Sequence, residues 1–241
     1  MSDVPQLDLD RGGLDAVPPE ALADPGLHRL SLYANEISEL PDRVWDLVEL
    51  RVLNVADNRL TSLSPRIGEL RHLHTLDLGH NAFRALPDEL GELPELTEYL
   101  YLSDNELTVF PESLCRLGKL KYLGCTDNRI DVLPPAIAGL RSLRELRLYH
   151  NGLRALPEEI GSLPALRELH LRGNRITRLP SAVGSLRELR QLDLRDNGLV
   201  ELPSALLELS KLDKLDLRWN KDLRLPPWLP DLEARGCYVL L

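Results

Sequence analysis

Nine asparagines stand at near-constant intervals along this chain: Asn35, Asn58, Asn81, Asn105, Asn128, Asn151, Asn174, Asn197 and Asn220, 23 residues apart at every step but one, which is 24. A fixed period of this length marks a solenoid, in which each unit buries its apolar face only by stacking on its neighbours. Residues 73–95, LHTLDLGHNAFRALPDELGELPE, show the unit with little distortion. Within it Leu76 and Leu78 alternate with Thr75, Asp77 and Gly79, a period of two that places leucines on one face of a short strand. Stacked equivalents of this strand make a parallel sheet whose leucines merge into one core. At roughly 4.8 Å per strand, nine or ten strands span about 45 Å. Asn81 falls where the backbone must turn, and a buried amide there can bond the main chain of its own repeat and of the next. The asparagine column is therefore read as structural. Residues 82–93 return across the outer side with Phe83, Leu86, Leu90 and Leu93 directed inward. Pro87 and its counterparts Pro41, Pro111, Pro134, Pro157, Pro180, Pro203 and Pro226 suit the first turn of a short helix.

The whole chain, 1–241, reads as one elongated domain. Full repeats occupy 27–211, with degenerate capping repeats at 1–26 and 212–241. Gly12 stands where an asparagine belongs, and one extra residue lies between Asn220 and Leu223. The repeat from Leu96 to Lys119 has 24 residues, the added one falling between Leu96 and Leu100. This is either a bulge that re-aims neighbouring side chains or an insertion in the turn before the strand. No second composition is left over for a catalytic domain. Cys125 replaces a strand leucine, and Cys115 and Cys237 form with it neither a paired cap nor a zinc pattern. The start, MSDVPQLDLD, lacks a basic region and an apolar run, and no stretch reaches transmembrane length. A cytoplasmic location away from membranes is expected, as is a monomer. Arginine outnumbers lysine 24 to 5, which points to a GC-rich bacterial genome. With a net charge of -9, nucleic acid is not an expected partner.

Segments such as LPEEIGSLPALRELHLRGNRITRLP and LPSAVGSLRELRQLDLRDNGLVELP resemble the 23-residue leucine-rich repeats of intracellular Ras-group and Ras-suppressor-type proteins and related bacterial proteins. The resemblance covers nearly the whole chain. It implies an α/β fold: a right-handed curved horseshoe with a concave parallel sheet and short convex helical segments, used mainly to bind other proteins. It carries over no catalytic motif. The bacterial ubiquitin-ligase effectors that join such repeats to a domain with an active cysteine find no counterpart in these residues.

The positions free to carry function are the outward residues of each strand. Five of the six tyrosines, Tyr33, Tyr99, Tyr101, Tyr122 and Tyr149, fall there, as does Trp219. Aromatic side chains with a polar tip anchor protein interfaces, although tyrosine also favours strands for packing alone. Tyr99, Tyr101 and Tyr122 cluster beside Gly79 and Gly124, whose missing side chains are expected to leave hollows. Further along, Arg147, Arg172, Arg195 and Arg218 form a ladder able to grip a carboxylate or phosphate. Its alternative is pairing with Glu145, Glu168, Asp193 and Asp216. The column just before the asparagines places Asp57, His80, Asp104, Asp127 and His150 on successive repeats. Such a set could hold a divalent metal or act as an acid–base pair, with Ser103 as a nucleophile beside His80. Equally, a polar residue at a strand end can simply bond the turn.

The reading drawn from these columns is a non-catalytic scaffold that binds a protein or peptide on its concave sheet, without metal or cofactor. Tyr33, Tyr99, Tyr101, Tyr122, Tyr149, Arg147, His170, Arg172, Arg195 and Trp219 are its contact residues. The alternative is a metal-dependent or acid–base enzyme, or small-molecule binder, seated on the Asp/His column.

Overall fold

A computed structural model describes residues 5–241. Eleven three-residue strands form one parallel sheet in strict sequential order. They are β1 (Gln6–Asp8), β2 (Arg29–Ser31), β3 (Val52–Asn54), β4 (Thr75–Asp77), β5 (Tyr99–Tyr101), β6 (Tyr122–Gly124), β7 (Glu145–Arg147), β8 (Glu168–His170), β9 (Gln191–Asp193), β10 (Lys214–Asp216) and β11 (Tyr238–Leu240). The central residue of every strand pairs with its equivalent, so Leu76, Leu100, Leu123 and Leu146 lie in one row. This register follows from the alternation, because a slip of one residue would turn every leucine to solvent. The strand count exceeds the expected nine or ten because the final Tyr238–Leu240 segment joins β10 as another rung.

The return segments are 3-10 turns, such as Asp88–Glu92 and Glu158–Ser162, and one α-helix, α1 (Leu229–Ala234), precedes β11. Four or five residues suffice for a 3-10 turn and are too few for a stable α-helix. These bulkier segments line the outside of the right-handed solenoid and bend it with the sheet on the concave side. The prolines sit one position earlier than expected. Pro41, Pro87, Pro111, Pro134, Pro157, Pro180 and Pro203 are N-caps with extended ψ rather than members of the first turn. There the proline carbonyl accepts the first intra-turn bond, as from Leu90 N–H to Pro87 at 3.2 Å. Pro226 caps no 3-10 turn; its carbonyl accepts from Leu229 N–H, ahead of α1.

Leucines of all repeats merge into a single buried spine that includes Phe83, Phe110 and Cys125. Leu86, expected to point inward, is only half-buried against it. Alongside runs the asparagine ladder. In Asn128, Nδ2 donates to the carbonyls of Leu102, Cys125 and Thr126, and Oδ1 accepts from Leu107 N–H at 3.0 Å. All nine asparagines repeat this four-bond pattern, from Asn35 to Asn220. The expected partner was the following repeat; the bonds instead reach the preceding one, since the turn directs the amide back toward carbonyls already laid down.

The residue before each asparagine adopts a left-handed backbone, with φ of 57° at Asp57, 51° at His80, 53° at Asp104, 52° at Asp127 and 53° at His150. Asn, Asp and His tolerate this region better than other non-glycine residues. Its amide bonds the next repeat, as His80 N–H does to Ser103 O at 2.8 Å. The 24-residue repeat keeps register through β5, so no bulge enters the sheet. Elsewhere two successive amides share one carbonyl at the strand entrance, as His74 and Thr75 share Arg51. After the insertion Lys121 and Tyr122 bond separate carbonyls, Thr97 and Glu98. The extra residue is thus taken up in the turn.

Asn128→Ala leaves buried backbone groups without partners, so it should lower stability by about 2–4 kcal/mol in urea denaturation. Gly91 packs so closely that a Cβ would lie 2.1 Å from Ser113 O. Gly91→Ala must shift a neighbouring turn and should cost roughly 1–3 kcal/mol. At Gly68 the nearest atom would be the side-chain Glu89 Cβ at 3.1 Å, so Gly68→Ala should be milder in the same assay.

Candidate functional site

With the central leucine buried in each strand from β2 to β10, its two neighbours face the concave side. Tyr99 is 44% exposed, whereas Tyr33, Tyr101, Tyr122 and Tyr149 are half-buried. Tyr99, Tyr101 and Tyr122 pack into one cluster: Tyr99 stacks on Tyr101 with ring centroids 5.9 Å apart, and Tyr122 tilts against Tyr101 at 4.8 Å. Tyr149 meets His150 edge-on at 5.3 Å. Tyr33 stands apart, under the Arg11 guanidinium.

The two expected hollows fare differently. Gly124 has none, because the Tyr122 ring folds over it and a Cβ there would lie 3.1 Å from the Tyr122 hydroxyl. Beside Gly79 a concavity of about 400 Å³ does open, lined by Asp77, Gly79, His80, Tyr101, Ser103, Asp104, Thr126, Asp127 and Tyr149. Burial pushes the Asp77 carboxyl above its ordinary value, offset in part by a hydrogen bond from Gly79 N–H and by the nearby His80. Asp77, Ser103 and Thr126 were not among the expected contact residues. The column reading singled out conspicuous aromatics and cations, whereas membership of a concavity depends on how adjacent rungs align.

The Asp/His column forms two separate pairs. His80 Nδ1 lies 2.7 Å from Asp104 and His150 Nδ1 lies 2.8 Å from Asp127. Among the described residues the column offers no three ligand atoms to one ion, and Asp57 joins neither pair. Ser103 Oγ makes no hydrogen bond to His80 among the described residues, so the nucleophile arrangement is not assembled. The group whose ligating atoms do converge, within 4.8 Å of one another, is Glu145, Glu168 and His170. Its Glu145 already carries the Arg147 guanidinium, which opposes a second cation. His170, 19% exposed, sits 3.1 Å from Glu168.

In the arginine ladder the pairing alternative holds at three of four positions. Arg147 binds Glu145 and lies over the Tyr122 ring; Arg195 binds Asp193 and Asp216; Arg218 binds Asp216. Burial alone would raise the Asp193 carboxyl, but the Arg195 side chain, backbone and charge together bring it below its ordinary value. Arg172 has no carboxylate partner among the described residues, and its Nε is buried without a hydrogen bond. Its guanidinium lies over Trp219 at 5.3 Å, with Arg218 also over that ring at 5.8 Å. Trp219 is 56% exposed with φ of 67°.

A further surface lies away from the strands, where the alternation of leucines gives no signal. On the flank, Leu86, Val109, Phe110, Pro111, Val132 and Pro134, together with the charged Arg84, Asp88, Glu112 and Asp131, line a groove of about 520 Å³. Val109 is 71% and Val132 63% exposed. The signal lay in the position two before each proline, where Ala85, Val109, Val132 and Ala155 follow one another.

Burial raises the Tyr122 phenol well above its ordinary value, opposed by the Arg147 charge, and burial also raises Tyr101. Stability owed to these neutral phenols is complete below pH about 10 and declines as pH climbs through their folded-state values. A tyrosinate absorbance titration should show a late-ionising component, and Tyr122→Phe should remove most of it.

Comparison with known proteins follows the same lines. The leucine rich repeat family matches residues 48–107, 71–130 and 126–176, and the leucine-rich repeat region family matches 158–234. No curated protein matches the chain. Among solved structures, a leucine-rich repeat protein of Leptospira interrogans superposes with a TM-score of 0.89 at 34% identity, covering 98% of this chain and 60% of that one. The chain thus spans 60% of the Leptospira protein's length. The leucine-rich repeat domain of the type III effector XopL gives 0.78 at 31% identity, over 92% of this chain and 78% of that one. The ectodomain of the Arabidopsis thaliana receptor kinase GASSHO1/SCHENGEN3, in complex with Casparian strip integrity factor 2, gives 0.61 at 27% identity, over 84% and 31%. Family and receptor neighbours support a protein-interaction scaffold in general terms. With its ladder, register and repeat matches in agreement, this chain belongs to the leucine-rich repeat family.

Proposed function

We propose that the chain is a non-catalytic scaffold whose concave sheet binds a protein or peptide, anchored by the central tyrosines and by Trp219. The observation that carries this reading is Trp219. A bulky aromatic in the left-handed region costs roughly 1–2 kcal/mol, and although Arg172 and Arg218 lie over its ring, 56% of the residue stays exposed. Contact with a partner would offset that cost. The rigid tyrosine cluster acts similarly: rings already packed against one another lose little freedom on binding. Among the similar structures, the GASSHO1/SCHENGEN3 ectodomain is itself in complex with Casparian strip integrity factor 2, which supports an extended repeat surface as a binding surface. A reducing, cytoplasmic setting and a monomeric state belong to the same reading. Cys115, Cys125 and Cys237 are unpaired and buried, and burial pushes the Cys115 thiol up to about 11. No described helix is long and apolar enough to cross a membrane.

Affinity capture tests this directly. Tyr101→Ala plus Tyr149→Ala, and separately Trp219→Ala, should each reduce recovery of the partner at least tenfold while circular dichroism stays unchanged. Equal recovery by wild type and both variants would refute concave-face binding.

A further inference from the structure

We propose that the hollow at the centre of the sheet face receives a basic side chain of the partner, arginine or lysine. The inference rests on the docking reading above and adds the chemistry of the docked segment.

The argument is charge complementarity. Asp77, Asp104 and Asp127 converge on the hollow, and neither lysine nor arginine lines it. Each of these carboxylates uses one oxygen within the protein. Asp77 Oδ1 accepts from Gly79 N–H, Asp104 Oδ2 faces His80, and Asp127 Oδ1 faces His150. The second oxygen of each has no protein partner among the described residues. The contrast lies on the same sheet, where Arg195 engages both oxygens of Asp193 and Arg218 both oxygens of Asp216. Arginine thus engages both oxygens of its carboxylates at the carboxy-terminal rungs, whereas at the centre the chain supplies only the His80 and His150 imidazoles, each to a single oxygen.

The walls fit the same occupant. Tyr101 and Tyr149 bring aromatic rings to the hollow, and a cation near an aromatic face gains further attraction. Tyr101 is held by its packing against Tyr99 and Tyr122. Asp104 and Asp127 come from neighbouring repeats, roughly one strand spacing apart, within the span of a guanidinium or ammonium group that donates in several directions. An acidic or phosphorylated group would meet three like charges, and a purely apolar one would strip water from them without return.

The test uses the intact, isotopically labelled chain and two probes, Nα-acetyl-arginine methylamide and Nα-acetyl-lysine methylamide, with the norleucine analogue as neutral control. Saturable amide shifts at Gly79, Ser103 and Thr126 are expected with the basic probes, with dissociation constants on the order of millimolar. Asp104→Asn plus Asp127→Asn keeps shape and left-handed preference and should weaken binding about tenfold with the spectrum otherwise intact. Absence of saturable shifts at those amides, or equal shifts from norleucine, would overturn the proposal. Failure here together with tyrosine-dependent capture would leave concave docking standing. Success here with tyrosine-independent capture would instead remove the docking reading and keep the cation site.

Discussion

The buried asparagine amide is the contact on which this architecture depends. A three-residue strand is too short to hold a sheet by its own ladder, and the turn after it would leave main-chain carbonyls without partners. Each asparagine answers both needs, donating within its own turn and to the preceding repeat while accepting from that repeat's backbone. Because its reach is fixed, every rung is set at the same height and angle as the last. The leucine spine supplies the driving force for stacking; the amides determine the register in which stacking occurs.

That fixed register turns single residues into columns displayed on the concave face. The left-handed residue before each asparagine shows how backbone demand and surface chemistry become entangled. Asp104, Asp127, His80 and His150 are residues this conformation accepts, so their presence has a conformational explanation. Their consequence is nonetheless chemical: two His–Asp pairs and unneutralised carboxylate oxygens gather at mid-sheet. Trp219 occupies the same kind of position without suiting it, as do Arg11 and Ala34, and is the bulkiest side chain there.

Along the face the character changes. The middle is acidic and aromatic, whereas the carboxy-terminal rungs carry internally paired arginines with Arg172 alone lacking a carboxylate. Internal pairing on a partly exposed surface contributes little to stability. It does hold the guanidiniums of Arg195 and Arg218 in place, and Arg172 and Arg218 both lie within 6 Å of the Trp219 ring centre, at 5.3 and 5.8 Å. These side chains are thus held by one another within the chain.

The period of 23, the alternation of Leu76 with Leu78 and the recurring asparagine determined the repeat, the parallel sheet and the inward and outward faces, because those depend on spacing within one unit. The same spacing placed the tyrosines outward. Relations between units were decided only in three dimensions. The direction in which Asn128 bonds, the shift of Pro87 to the cap and the absorption of the extra residue before Tyr99 depend on backbone angles that residue spacing does not encode. So too does the fate of the two glycines: both lie on the outward side, Gly79 just past β4 and Gly124 at the end of β6, yet the Tyr122 ring fills one space and the other stays open. Likewise, which carboxylates find an arginine is settled by side-chain reach across neighbouring rungs, a tertiary property that separates Asp193 from Asp77.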